Sequence, residues 1–105
     1  MKKKFIVKKS YEFDNIIKNN DILKNRGFII YKKENNLDYN RFGISVGKKL
    51  GNAVYRNKMK RRIKDIIDSI NIKSNIKNDY IIILRSMGKN YKYSELQEKL
   101  TDLLK

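Results

Sequence analysis

The chain contains no cysteine, histidine, proline or tryptophan, and its only alanine is Ala53. Without a sulfur or ring nitrogen there is no thiolate or imidazole nucleophile, no histidine general base and no ordinary zinc site. Any hydrolysis must draw on carboxylates, on metal bound elsewhere, or on another molecule. Absence of cysteine is compatible with a reducing cytoplasm, which is the expected location. Long apolar runs are missing too: the longest, Tyr80 to Leu84, falls far below the roughly 20 residues of a membrane-spanning helix. No membrane partner is expected. The start, Met1 to Lys9, imitates a charged signal region, but its apolar stretch is only Phe5 to Val7, too short for secretion. Acidic residues are scarce and scattered, with no pair spaced for a two-metal site, so no protein-held metal site and no carboxylate nuclease centre is expected.

What the chain has in excess is positive charge. Its 105 residues carry 26 Lys plus Arg against 11 Asp plus Glu, a formal net charge of +15. That length predicts a single domain, residues 1–105, able to bury a core without a disulfide or metal staple. A potential of this sign attracts polyanions, and nucleic acid is the leading partner. Codon bias competes with this reading, since Asn and Ile are also abundant, as an AT-rich genome would produce. Bias supplies Lys freely but does not explain Arg or clustering, so placement decides.

Ser10 is a candidate cap, Glu12 and Asp14 suit the positive end of a helix dipole, and Phe13, Ile16 and Ile17 recur at helical spacing. These predict a first helix over about 10 to 19. After the polar Asn19-Asn20-Asp21, Ile22-Leu23 suits a very short strand, and Gly27 to Lys32 is rich in β-branched and aromatic residues, as strands are. Phe42, Ile44 and Val46 alternate with small or charged residues, the period of a half-buried strand. The strands near 27–32 and 42–46 are expected to pair as a hairpin. Gly51-Asn52 breaks that strand, Asn52 can cap, and Met59, Ile63, Ile66, Ile67 and Ile70 form one apolar stripe on a helix from about 52 to 70. After a polar connection over 71–79, Tyr80 to Leu84 suits a strand inside the sheet. Ser94 and Gln97 make a capping-box pair before a last helix whose apolar face is Leu96, Leu100, Leu103 and Leu104. The order predicts a two-layer α/β domain, and residues 41–84 form a strand, helix, strand unit. General topology predicts a right-handed crossover if those strands are parallel neighbours.

Between Lys48 and Lys64 lie eight basic residues, Lys48, Lys49, Arg56, Lys58, Lys60, Arg61, Arg62 and Lys64, and no acidic one. At about 100° per residue, Asn57, Lys58, Arg61 and Lys64 fall opposite the isoleucine stripe, with Lys60 and Arg62 at its flanks. Guanidinium forks hold phosphate oxygens bidentately, each neutralised phosphate releases counterions, and the helix start at Asn52 adds oriented N–H donors. A solvated helix face is the ordinary meaning of a charge run, but such faces mix signs, and this one does so only from Asp65 onward. Phe13, Phe28, Tyr31 and Phe42 could also line a groove on which unpaired bases stack. For Phe28 and Phe42 a core role is favoured; for Phe13 and Tyr31 both readings stand.

The segment from Phe42 to Lys64 closely resembles the signature of the bacterial ribonuclease P protein component. It combines a strand ending in Lys48-Lys49, the Gly51-Asn52-Ala53-Val54 turn, and the Arg56-Asn57 and Lys60-Arg61 pairs at fixed offsets. The basic start before Phe13, the segment Arg26 to Tyr31, the segment Asp79 to Leu84 and the Leu-rich end resemble the family as well. The resemblance implies an α+β fold, a two-layer sandwich in the order helix, three strands, helix, strand, helix. Its sheet would be mixed and four-stranded, with a left-handed β-α-β crossover that overrides the general rule.

It also implies an endoribonuclease, ribonuclease P, in which a large RNA and magnesium remove the 5′ leader of precursor tRNA. The small protein would bind that RNA and the leader without supplying a catalytic residue, an organic cofactor or a need for a further protein partner. Contacts to the RNA subunit would come from Lys49, Asn52, Arg56, Asn57, Lys58, Lys60, Arg61, Arg62 and Lys64. The leader cleft would be lined by Phe13, Ile17, Tyr31, Ser45 and Lys48. Three features depart from the family pattern: Gly47 replaces a common serine, Lys58 and Lys64 replace arginines and lose the bidentate fork, and Ile17 replaces an aromatic. The rival readings are a structural RNA-binding protein of the ribosome and a stand-alone nuclease.

Overall fold

A computed structural model describes residues 1–18, 21–72 and 74–105. Asn19, at the expected end of the first helix, its neighbour Asn20, and Lys73 in the polar connection lie outside the described residues. The elements run α1 (Ser10–Lys18), β1 (Asp21–Lys24), β2 (Phe28–Glu34), β3 (Arg41–Ser45), α2 (Ala53–Ser69), β4 (Asn78–Leu84) and α3 (Tyr93–Leu104). The four strands form one mixed sheet in the order β1-β2-β4-β3.

The expected hairpin between β2 and β3 does not form. β2 pairs antiparallel with β1 and β4, and β3 pairs in parallel with β4, its other edge bridged by Ile6 at Phe42. The cause is the composition of β4: Ile81 and Ile82 point to opposite faces and both are fully buried, so this strand must lie inside the sheet, as its apolar run predicts. Inserting it separates β2 from β3. The connection between them is stitched to the new neighbour. The Asn35 side chain donates to Asp79 Oδ1 and to the Tyr39 carbonyl, while Asn40 Oδ1 accepts from the Asn78 N–H. Asn36 takes a left-handed φ of 57°, which asparagine tolerates better than most residues.

Alternation along the strands sorts side chains to two faces. Phe28, Ile30, Phe42, Tyr80, Ile82 and Leu84 face α2 and α3, where Met59, Ile63, Ile66, Ile67, Leu96, Leu100 and Leu104 complete the main core. Phe42 and Tyr80, paired in register, stack with centroids 5.2 Å apart and planes 9° apart. Phe28 and Phe42 are therefore core. On the other face the short α1 covers the centre of the sheet through Ile16, which packs with Val7 and Ile81.

The helix ends follow local chemistry. Asn52 caps α2, its Oδ1 accepting from the Tyr55 N–H at 2.9 Å. The start of α3 differs from the expected Ser94/Gln97 box: the helix begins at Tyr93, and Glu95 accepts from the Lys92 N–H at 3.1 Å. Glu95 stands three residues after the first capping position, the offset that reach-back requires, whereas Gln97 stands a further half-turn along.

Candidate nucleic-acid interface

The cationic helix face forms where its periodicity predicts, except that Lys64, expected opposite the apolar stripe, is half-buried like the flanking residues. Met59, Ile63, Ile66 and Ile67 bury one side of α2, and Asn57, Lys58 and Arg61 project into solvent on the other, with Lys60, Arg62 and Lys64 half-buried between them. Val54, 77 % exposed, joins Asn57, Lys60, Arg61 and Lys64 along a shallow groove of about 520 Å³. Lys48 and Lys49 stand exposed on a 3-10 turn (Lys48–Leu50) just ahead of the Asn52 cap. Gly51 is required between them, because a Cβ there would lie 2.6 Å from the Tyr55 ring. Tyr55 holds this corner by donating its hydroxyl to the Lys89 carbonyl at 2.6 Å. Partial burial raises its phenol pKa, and the Arg62 charge opposes that shift. Arg56 is half-buried, and its Nε is buried without a hydrogen-bond partner among the described residues. That orphaned donor marks a guanidinium the protein leaves only partly satisfied.

The second face of the sheet carries the expected cleft residues. Phe13, Tyr31 and Ile83 pack, partly exposed, around Val7, Ile16 and Ile81. Across the strands, Tyr31 and Gly43 flank Ile81, and in the next row Ile29 and Ser45 flank Ile83. Phe13 crosses over Gly43 so closely that a Cβ on that glycine would meet its ring at 2.6 Å. The structure thus gathers Phe13, Tyr31 and Ser45 onto one surface. Lys48 follows the end of β3, and Ile17, 37 % exposed, stands one turn beyond Phe13 on the same row of α1. Gly43 and Ile83 belong to this surface and were not foreseen. Gly43 was readable only as a small residue in an alternating strand, and Ile83 only as one of an unbroken apolar run.

A three-residue polar network ties α1 to the sheet beside this surface. Arg41 donates from Nε to Asp79 Oδ1 at 2.8 Å and from Nη2 to Asp79 Oδ2 at 2.6 Å. Its Nη1 reaches Glu12 Oε2 on α1 at 3.0 Å. The hydrogen bonding of the guanidinium to Asp79, outweighing the opposing effect of burial, raises the Arg41 pKa further above its already high ordinary value. Asp79 is buried, and with both oxygens occupied it meets the rule that an interior charge be paired and hydrogen-bonded. This network was missed because each member is ordinary alone and Arg41 and Asp79 lie 38 positions apart.

A further groove of about 500 Å³ runs along the outer edge of β3, where Ile6 bridges to Phe42, and is bounded by Lys8, Phe13, Ile44, Lys60 and Lys64. It connects the second face of the sheet to the cationic face of α2. Among the described residues no group of three or more carboxylates is placed to hold a metal ion, and no helix is long and apolar enough to cross a membrane.

Comparison with known proteins shows the family and the fold. The family model described as Ribonuclease P matches residues 1–105. The ribonuclease P protein component of Mycoplasma mycoides subsp. mycoides is 46% identical over 106 residues, covering 100% of this chain and 97% of that protein. The solved RNase P protein of Staphylococcus aureus superposes with a TM-score of 0.85 at 37% identity, covering 95% of this chain and 92% of that one. The RNase P protein of Thermotoga maritima superposes with a TM-score of 0.82 at 31% identity, covering 89% and 88%. Matched along its whole length in sequence and nearly so in fold, the chain belongs to the ribonuclease P protein family.

Proposed function

We propose that this chain is the protein subunit of a ribonuclease P ribonucleoprotein, binding the catalytic RNA through α2 and the 5′ leader of precursor tRNA across the second face of the sheet. The observation that carries the reading is the cationic face of α2 between Arg56 and Lys64, free of acidic residues and anchored behind by buried apolar residues of the same helix. Such a face gives phosphates a rigid set of cations whose own mutual repulsion is relieved on binding. The partly exposed Phe13 and Tyr31 offer ring surface to unpaired bases, a mode tolerant of leader sequence. Bond chemistry belongs to the RNA subunit and its magnesium, which activates water and stabilises the leaving oxygen. The protein offsets repulsion between two polyanions and keeps the leader in register. A structural protein of the ribosome is not favoured by full-length relatives that carry the ribonuclease P name.

The test is precursor-tRNA cleavage at low magnesium with a bacterial ribonuclease P RNA alone, the protein alone, and both together. Cleavage at the mature 5′ end only in the mixture is expected, with high magnesium partly replacing the protein. Cleavage by the protein alone, or no stimulation of the RNA, would overturn the reading.

A further inference from the structure

The leader surface rests on α1, a helix of nine residues with a single buried side chain, Ile16. So short a helix is not stable by itself, and its orientation is set by what it touches. Residues four apart share a row, and neighbouring residues differ by about 100° around the axis. Glu12 and Ile16 therefore form one row and Phe13 and Ile17 the next. The first row is pinned to the sheet at both ends, Ile16 by Val7 and Ile81, Glu12 by the Arg41 guanidinium at 3.0 Å. Arg41 cannot follow α1 if it moves, because Asp79 grips its other two donors from the adjacent strand. The second row is thereby turned toward the surface that holds Tyr31 and Ser45.

We propose that Glu12 and Arg41 are positioning residues for leader recognition, the Arg41 fork acting as a fixed post that sets the rotation of α1 and so the placement of Phe13. This rests on the reading of that surface as the leader site. Neither residue need touch RNA. Glu12 is the informative position, since removing it leaves the buried Arg41–Asp79 pair intact, whereas removing Arg41 strands Asp79 and threatens the fold.

The experiment uses the reconstituted RNA–protein holoenzyme with Glu12→Ala and two precursors, one with a single-nucleotide leader and one with a leader of about ten nucleotides. For the long leader the dissociation constant and KM are expected to rise about tenfold, the order of one aromatic base contact. Maximal kcat, affinity for the RNA subunit and binding of the short-leader precursor should stay unchanged. Glu12→Gln, which keeps an acceptor for Arg41 but loses the charge, should fall in between, and it serves if the alanine variant folds poorly. Equal losses on both precursors, or weaker RNA-subunit binding, would make the pair merely structural. Wild-type behaviour from both variants would also overturn the proposal. Absence of any leader-length dependence in the unsubstituted holoenzyme would sink the leader reading itself, and that failure shows before any substitution is made.

Discussion

The two faces of the sheet are built for different work. Toward α2 and α3 the strands present large buried side chains, and two helices cover them with interlocking leucines and isoleucines. Toward α1 the cover is one short helix, a three-residue buried cluster, and aromatic rings left partly open. The first face carries the fold's stability and holds the cationic helix rigid from behind. The second gives little of its area to packing, keeps a side-chain surface available, and relies on a polar network to fix its helix. The closely packed face and the open face are separated by the period-two alternation of the strands.

This contrast can be broken first where it is strongest. Phe28→Ala, on the α2/α3 face and fully buried, should cost about 3–5 kcal/mol. Ile16→Ala, on the α1 face, should stay near the lower end of its class, about 2 kcal/mol, because α1 can settle into the gap. Urea denaturation of both variants measures the difference, and equal losses would erase the distinction. Gly43→Ala places a methyl 2.6 Å from the Phe13 ring and 2.8 Å from Ile81 Cδ1. Overpacking there should cost about 1–3 kcal/mol and displace Phe13, read out as weaker leader binding with RNA-subunit affinity unchanged.

Smaller effects sharpen the same division. Asn52→Ala removes the cap on Tyr55 and should cost about 1 kcal/mol, visible as a lowered Tm. Tyr80 lies in the main core, and burial raises its phenol pKa, so the folded state resists ionisation. Its contribution is fully present below the unfolded tyrosine value of about 10 and is lost as pH rises through the higher folded value. Tyr80→Phe should therefore flatten that alkaline loss in a denaturation series across pH. The smallest effect on stability is expected from Arg56→Ala combined with Arg61→Ala, within about 1 kcal/mol by circular dichroism, because Arg61 is exposed and the buried Arg56 Nε has no hydrogen bond to lose among the described residues. The same pair should lower the slope of log affinity for RNA against log salt by about 1.8, near 0.9 for each phosphate no longer neutralised. Collapse of the fold would instead make these arginines structural.

What could be read in advance follows the range of the interactions involved. The α2 helix, its Asn52 cap, its apolar stripe and its cationic face depend on residues within a few positions of one another, and they stand where their spacing placed them except for Ile70, which falls just past the helix end, and Lys64, which is half-buried. Phe28 and Phe42 entered the core as their strand patterns favoured. The pairing of β2 with β3 failed because alternation reports which face of a strand is buried and says nothing about which strand lies beside it. The Ser94/Gln97 box failed by two residues because Glu95 could reach back as well as Gln97, and the helix starts where Glu95 accepts from the Lys92 N–H, leaving Ser94 inside it.

The sequence by itself determined the sign and placement of the charge, the long basic helix, the interior character of β4 and membership in a family. These are carried by composition, by short-range periodicity and by residues at fixed offsets. Tertiary structure alone decided that β4 separates β2 from β3, that α1 lies on the opposite face from the other helices, and that Phe13 rests on Gly43 beside the Glu12–Arg41–Asp79 network. Each of these is a contact between distant segments, chosen by which surfaces must be covered on both sides and which buried charge must find a partner, and neither demand has a local signature.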